Sequence, residues 1–155
     1  MSISCNIDQN VLDSFTYLDN ANLNNKNELG NVFINCENYI NVQKEKEIIK
    51  VVTHIANICT QALLNSQQKG FERFSVTVNF KNLKYREISI KFCKYLAEIL
   101  KQLFPEKLYE VTLCDPPSFF ISTYEIIKKF IDPPTRKKIL MMKNNKRINM
   151  EEVSL

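Results

Sequence analysis

Glycine is almost missing from this chain: Gly30 and Gly70 are the only two among 155 residues. That scarcity removes the phosphate cradles that need several glycines in one tight turn, since neither GxGxxG nor GxxxxGK[ST] occurs. A GxSxG nucleophile elbow is missing too, and Ser118, behind two prolines, has no histidine relay. The single histidine, His54, has Lys50 and Ile58 one helical turn away, so no carboxylate or thiol completes a triad or a metal site there. It is expected on the polar face of a helix. The five cysteines, Cys5, Cys36, Cys59, Cys93 and Cys114, lie far apart with no CxxC pair, which predicts free buried thiols in a reducing compartment. No metal and no cofactor are expected. No apolar run reaches the roughly 18 residues that span a bilayer, and the opening MSISCNIDQN lacks the basic and apolar regions of a signal peptide. The expected location is cytoplasmic.

What is present is a core. With 45% hydrophobic residues, 155 residues suffice for one domain and fall short of two of typical size. The first 30 residues, ending in the asparagine-rich DNANLNNKNELG, read as an irregular or partly helical acidic lead, dispensable to the core. Residues 32–36, VFINC, suit a short strand, and Asn41 is placed to cap the helix that follows. Over residues 44–65, Ile48, Val52, Ile55, Cys59 and Ala62, joined by Ile49, Ala56 and Leu63, recur at helical spacing. Residues 74–80 alternate Phe74, Val76, Val78 and Phe80 against Ser75, Thr77 and Asn79, which predicts a strand. Ile88, Phe92, Leu96, Ile99 and Leu103 define a second long helix over 88–104, closed by Pro105.

The segment 103–142 is the most telling. A strand over 108–114 places Tyr109, Val111 and Leu113 on one face and stops at Asp115, where Pro116 and Pro117 remove two ladder donors. A helix starting near Ser118 lays Phe119, Phe120, Ile121 and Tyr124 over the sheet, as an ordinary core or as a wall that an apolar ligand can replace. A fourth strand is expected over 139–142. Alternating strands and long helices make this an α/β chain with a mainly parallel sheet.

Charge is uneven. Residues 1–42 carry five acids and one lysine, a net −4, while residues 128–147 carry eight basic residues and one acid, a net +7. Lys128, Lys129, Arg136, Lys137, Lys138, Lys143, Lys146 and Arg147 make a field that attracts phosphates or an anionic membrane. Aromatic residues interleave poorly with them and no nucleic-acid motif appears, so nucleic acid is not expected. The acidic pairs Glu45/Glu47 and Glu151/Glu152 read as solvated, and the sequence predicts binding without catalysis.

The segments GNVFINCENY, FSVTVNFKNL, KFCKYLAEILKQLFPEKL, YEVTLCDPPSFF and IIKKFIDPPTRKKILMM follow in an order that resembles the CRAL-TRIO lipid-binding domain of phosphatidylinositol-transfer and retinal-binding proteins. The resemblance covers residues 30–142 and is strongest over 104–140, leaving 1–29 as the lead and 143–155 as a short tail. It implies a mixed, mainly parallel sheet flooring an apolar cavity, helices on one side and a gating helix on the other. It implies a ligand wall of Phe119, Phe120, Tyr124, Ile127, Phe130 and Ile131. It also implies a headgroup site at Glu106 of FPEKL and Lys138 of TRKKI, where transfer proteins of the family hold the inositol phosphate. The expected partners are a phospholipid and, through Lys128, Lys129, Arg136, Lys137, Lys143, Lys146 and Arg147, an anionic membrane docked peripherally. The family's helical N-terminal subdomain is reduced to the lead, and its glycine-ending closing sequence is missing. These departures keep a second reading open, a protein-interaction module meeting an acidic partner.

Overall fold

In the computed structural model, which describes residues 7–19 and 29–152, all four expected strands join one six-stranded sheet. The chain runs α1 (Gln9–Phe15), β1 (Thr16–Leu18), β2 (Asn31–Asn35), α2 (Glu45–Gln68), β3 (Phe74–Asn79) and α3 (Ile90–Leu103). It continues through β4 (Leu108–Cys114), α4 (Ser118–Ile127), α5 (Pro133–Arg136), β5 (Ile139–Lys143) and β6 (Lys146–Asn149). The strands lie side by side in chain order. β2, β3, β4 and β5 are parallel, and β1 and β6 pair antiparallel at the two edges. This is the mixed, mainly parallel α/β sheet that the sequence predicts.

Alternation sets the faces. Val32 and Ile34 align with Val76 and Val78, these with Val111 and Leu113, and these in turn with Ile139 and Met141. That apolar side joins one core with Ile48, Val52, Ile55 and Cys59 of α2, Phe92 of α3 and Phe120, Tyr124 and Ile127 of α4. The three crossover helices therefore share one face, and α4, the expected gate, packs beside α3 on it. On the reverse face a row of Tyr17, Phe33, Thr77, Thr112, Leu140 and Asn149 crosses all six strands. Phe33, Thr77, Thr112 and Leu140 there are half-buried.

The helices start and stop for identifiable reasons. Ser89 caps α3, its Oγ accepting from the Phe92 amide at 3.1 Å. Gly70, with φ 87°, turns the chain just after α2, a conformation glycine adopts without strain. Gly30 serves differently. Its amide donates to the buried Ser66 Oγ at 2.7 Å, and a Cβ there would stand 1.9 Å from the Ala62 carbonyl oxygen.

Several expectations are corrected. α2 is capped by Lys44, whose amide donates to the Glu47 carboxylate at 3.3 Å, and Asn41 lies upstream of that cap. His54 is 7% exposed, its Nε2 2.8 Å from the Thr16 carbonyl and its Nδ1 3.5 Å from the Gln9 amide. The side read as polar is roofed by α1 and β1, a long-range contact invisible in helical periodicity. The same contact overturns the idea that the lead is dispensable, because Leu12 and Phe15 are each 2% exposed within the core. The asparagine-rich turn over 20–28 lies outside the described residues. Ile49 and Leu103 face solvent. Tyr109 also departs from its expected face, because a register shift between β3 and β4 passes through it and leaves it exposed.

Candidate ligand site along α4 and the start of β5

β4 ends at Asp115, whose φ of 51° turns the chain while its amide donates to the Met142 carbonyl at 2.8 Å. Pro116 is buried in the turn, and Pro117 stands before α4. Within α4, Phe120, Tyr124 and Ile127 fall at i, i+4 and i+7, and they are 8%, 4% and 5% exposed. Phe120 packs on Phe80 with ring centroids 4.6 Å apart. Of the remaining expected wall residues, Phe119 and Ile131 are half-buried against the core. Phe130 is exposed, with the Lys94 ammonium 5.1 Å from its ring centroid.

Asp132 precedes Pro133 and Pro134, which open α5 where missing amide donors cost nothing. Burial raises the Asp132 pKa, but hydrogen bonds from Thr135 and from backbone amides outweigh it and hold the carboxyl below its usual range. The Thr135 hydroxyl donates to Asp132 Oδ1 at 2.9 Å. Lys138 follows, half-buried, its amide donating to the Thr135 carbonyl at 2.9 Å and its carbonyl accepting from Val111 at 2.9 Å. Glu106 is exposed in a turn before β4 and holds a left-handed φ of 60°. Because β4 and β5 are parallel, Glu106 and Lys138 stand at the same end of the sheet. β5 begins opposite Val111, three residues into β4, an offset of roughly 10 Å along the strand. Among the described residues no hydrogen bond or ion pair joins the two.

The seven docking residues divide. Lys128 pairs with Glu125 at 2.6 Å, Arg136 with Glu151 at 3.4 Å, and Arg147 with Glu110. No ion pair engages Lys129, Lys137, Lys143 or Lys146 among the described residues. Lys137 precedes β5 and Lys143 ends it, paired in register with Lys146, so these cations lie at opposite ends of the strand.

Sequence reasoning took Tyr124 only as an apolar wall and missed its hydroxyl, which is enclosed without a hydrogen-bond partner. Burial pushes its pKa up to about 12, with Glu151 adding to the rise and Arg136 opposing it. Glu151, expected to be solvated, instead pairs with Arg136 at 3.4 Å, a long-range contact that no local signal marks. The thiols of Cys36, Cys59 and Cys93 are pushed up to about 12 by burial, a poor setting for nucleophiles. Among the described residues no three His, Cys, Asp or Glu side chains gather as a metal site. Nor does any described helix have the length and apolarity to cross a membrane.

One sheet of sequentially ordered strands covered by helices, with an apolar α4 leading through a proline turn to a cationic start of β5, defines a two-layer α/β class of protein. The CRAL/TRIO domain model matches residues 13–153, and the chain belongs to that family. At the level of the family this links the chain to lipid-binding and lipid-transfer proteins, which are typically non-catalytic carriers. The crystal structure of Sfh5 is similar in fold, with 21% identity, a TM-score of 0.59 and 90% of this chain covered. The match takes in 52% of Sfh5, so the chain spans about half the length of that protein. No curated protein matches the sequence.

Proposed function

We propose that this chain binds and transfers one phospholipid, by preference phosphatidylinositol, and exchanges it while docked on an anionic membrane. One observation carries the reading: the apolar inner face of α4 runs directly into the Asp132 turn and the cationic residues Arg136 and Lys138. An amphiphile has the same polarity along its length. Its acyl chain would replace Phe120, Tyr124 and Ile127 against the sheet, with Phe119, Phe130 and Ile131 at the margin. Its headgroup would lie at the end of the sheet bearing Glu106 and Lys138. Lys138 supplies a point charge to a phosphate oxygen, and Glu106 accepts from a ring hydroxyl.

The energetics allow it. Freeing three large side chains from the core costs roughly 1.5–3 kcal/mol each, and each methylene buried returns about 0.8 kcal/mol. About ten methylenes balance the displacement, fewer than one long acyl chain carries. Docking would use Lys129 and Lys137 with the paired Lys128 and Arg136 on that side, while Lys143, Lys146 and Arg147 serve the far end of β5.

Native mass spectrometry of the purified protein, with extraction of bound lipid, tests the reading. Stoichiometric phospholipid supports it. The near-complete enclosure of Phe120, Tyr124 and Ile127 favours the second reading, an interaction module with a sealed core, and a lipid-free protein that excludes added phospholipid would establish that instead. For docking, sedimentation with anionic vesicles should fall as salt rises, and equal binding to neutral vesicles refutes the electrostatic component.

A further inference from the structure

Past the carboxyl ends of the parallel strands, the sheet carries a second cationic rim. Phe80, just beyond β3, donates its amide to the Cys114 carbonyl at 3.1 Å, and Asp115, just beyond β4, donates to the Met142 carbonyl at 2.8 Å. Those two bonds set the ends of β3, β4 and β5 side by side. Lys81, Lys84 and Arg86 follow on the loop after β3, while Lys143 and Lys146 pair in register across a hairpin turn fixed by Asn144 and Asn145, with φ of 53° and 62°. Lys81, Lys84, Arg86 and Lys146 are exposed and Lys143 is half-buried. Among the described residues no ion pair engages any of the five, whereas Arg147 is held back by Glu110. The acids beside them are Glu87 on the loop and Asp115 between loop and hairpin. Tyr85 and Ile90 stand exposed on the same rim, and α2, α3 and α4 all begin at this end, so their positive dipole ends add to the field.

We propose that this rim takes a second anionic bilayer, so that one molecule docked through Lys129 and Lys137 bridges two membranes. The proposal rests on the reading of the other end of the sheet as a membrane dock and adds tethering to it. The two sets of cations lie beyond opposite ends of β5, whose five residues span roughly 16 Å, about twice the screening length of about 8 Å at physiological ionic strength. A bilayer that meets one end therefore leaves the other uncompensated. Four of the five rim cations are lysines, point charges on flexible stems that suit a diffuse anionic surface, whereas an acidic peptide or a nucleic-acid backbone is better held by the arginine fork. Tyr85 supplies an aromatic ring of the kind that settles at headgroup level.

Sedimentation and light scattering at limiting protein, with vesicles of equimolar phosphatidylcholine and phosphatidylserine and a pure phosphatidylcholine control, test the bridge. The parent should sediment with the anionic vesicles and cluster them, and the clusters should disperse as salt rises. The triple variant Lys81→Glu, Lys84→Glu, Arg86→Glu should weaken the rim's attraction by on the order of a hundredfold, so that the protein still sediments but no longer clusters. Lys143→Gln with Lys146→Gln, on the hairpin instead of the loop, should lower clustering too, and it decides the matter if the triple variant fails to fold. Lys129→Glu with Lys137→Glu should also end clustering. An equal mixture of the two charge-reversed proteins should not restore it, because both ends must belong to one molecule, and restored clustering would overturn the single-molecule bridge in favour of paired copies. If the parent sediments without clustering, one bilayer satisfies all the cations, and the bridge falls while docking stands. Clustering that survives reversal of the rim overturns the rim's part, and sedimentation lost with that reversal moves the dock itself to the rim and overturns the bridge. A parent that neither sediments nor clusters overturns both readings. Polyglutamate or single-stranded DNA held at the rim by a parent that does not cluster vesicles would give it to an acidic protein or a nucleic acid instead.

Discussion

Replacing Gly30 with alanine adds a single carbon at a place where the strand and a helix already touch. The new Cβ would lie 1.9 Å from the Ala62 carbonyl oxygen, and an ordinary contact needs at least 3.4 Å, so β2 and α2 must part by about 1.5 Å. Both sides are rigid. Ala62 and Ser66 on α2 and Val32 on β2 are all 0% exposed, and the Ser75 amide holds the Gly30 carbonyl at 3.0 Å. A shift of that size stretches the Gly30–Ser66 hydrogen bond from 2.7 Å to about 4 Å and strands two buried polar groups. Overpacking costs about 1–3 kcal/mol and the unpaired groups about another 1–3, giving a loss near 4 kcal/mol. That is a large part of the 5–15 kcal/mol typical of a domain. Urea denaturation of the parent, Gly30→Ala and Ser66→Ala measures it. Ser66→Ala should lose only the hydrogen-bond share, about 1–3 kcal/mol, and the double variant should lose less than the sum. A Gly30→Ala midpoint within about 0.5 kcal/mol of the parent would refute the close-approach argument.

Three further outcomes are expected. Lys138→Ala should weaken phosphatidylinositol binding by about ten- to a hundredfold, the value of a charge-assisted phosphate contact, whereas Lys137→Ala should lower only general binding to anionic vesicles; equal effects would reject the headgroup role. Glu106→Gly should stabilise the fold by about 1 kcal/mol, because it relieves a left-handed residue, while weakening inositol-lipid binding; a rise in melting temperature without a binding loss would make Glu106 structural alone. Asp132 has a pKa below its usual 3.8, so its contribution is fully present above the ordinary carboxylate range and is lost as pH falls through the lower folded value. Thermal melts of the parent should fall across that acid window, and Asp132→Asn should flatten part of the slope; parallel pH profiles would reject it.

The central strands were legible because their alternation is strong and their ends are punctuated. β4 occupies residues 108–114 as expected, closed by the two prolines, and β3 and β5 differ from their expected spans by one residue each. β1 and β6 escaped notice for a physical reason. Thr16–Leu18 is too short to display a period, and Lys146–Asn149 has the composition of a solvated tail, so only pairing with a neighbour makes either a strand. The site divides in the same way. Helical spacing marked the inner face of α4, and the order of motifs marked Glu106 and Lys138. The pairing of Arg136 with Glu151 and the enclosure of the Tyr124 hydroxyl depend on a tail folding back across α5, which no local pattern encodes.

The sequential strand order also bears on how the chain is made. During synthesis each new strand emerges to meet the edge left by the one before it, so the sheet can lengthen by addition at one side and never has to open for an insertion. Until the last pairing forms, that advancing edge exposes unpaired backbone to neighbouring chains. β6 ends the exposure with a short hairpin strand whose Lys146 and Arg147 face solvent, and charge of this kind discourages further strands from adding.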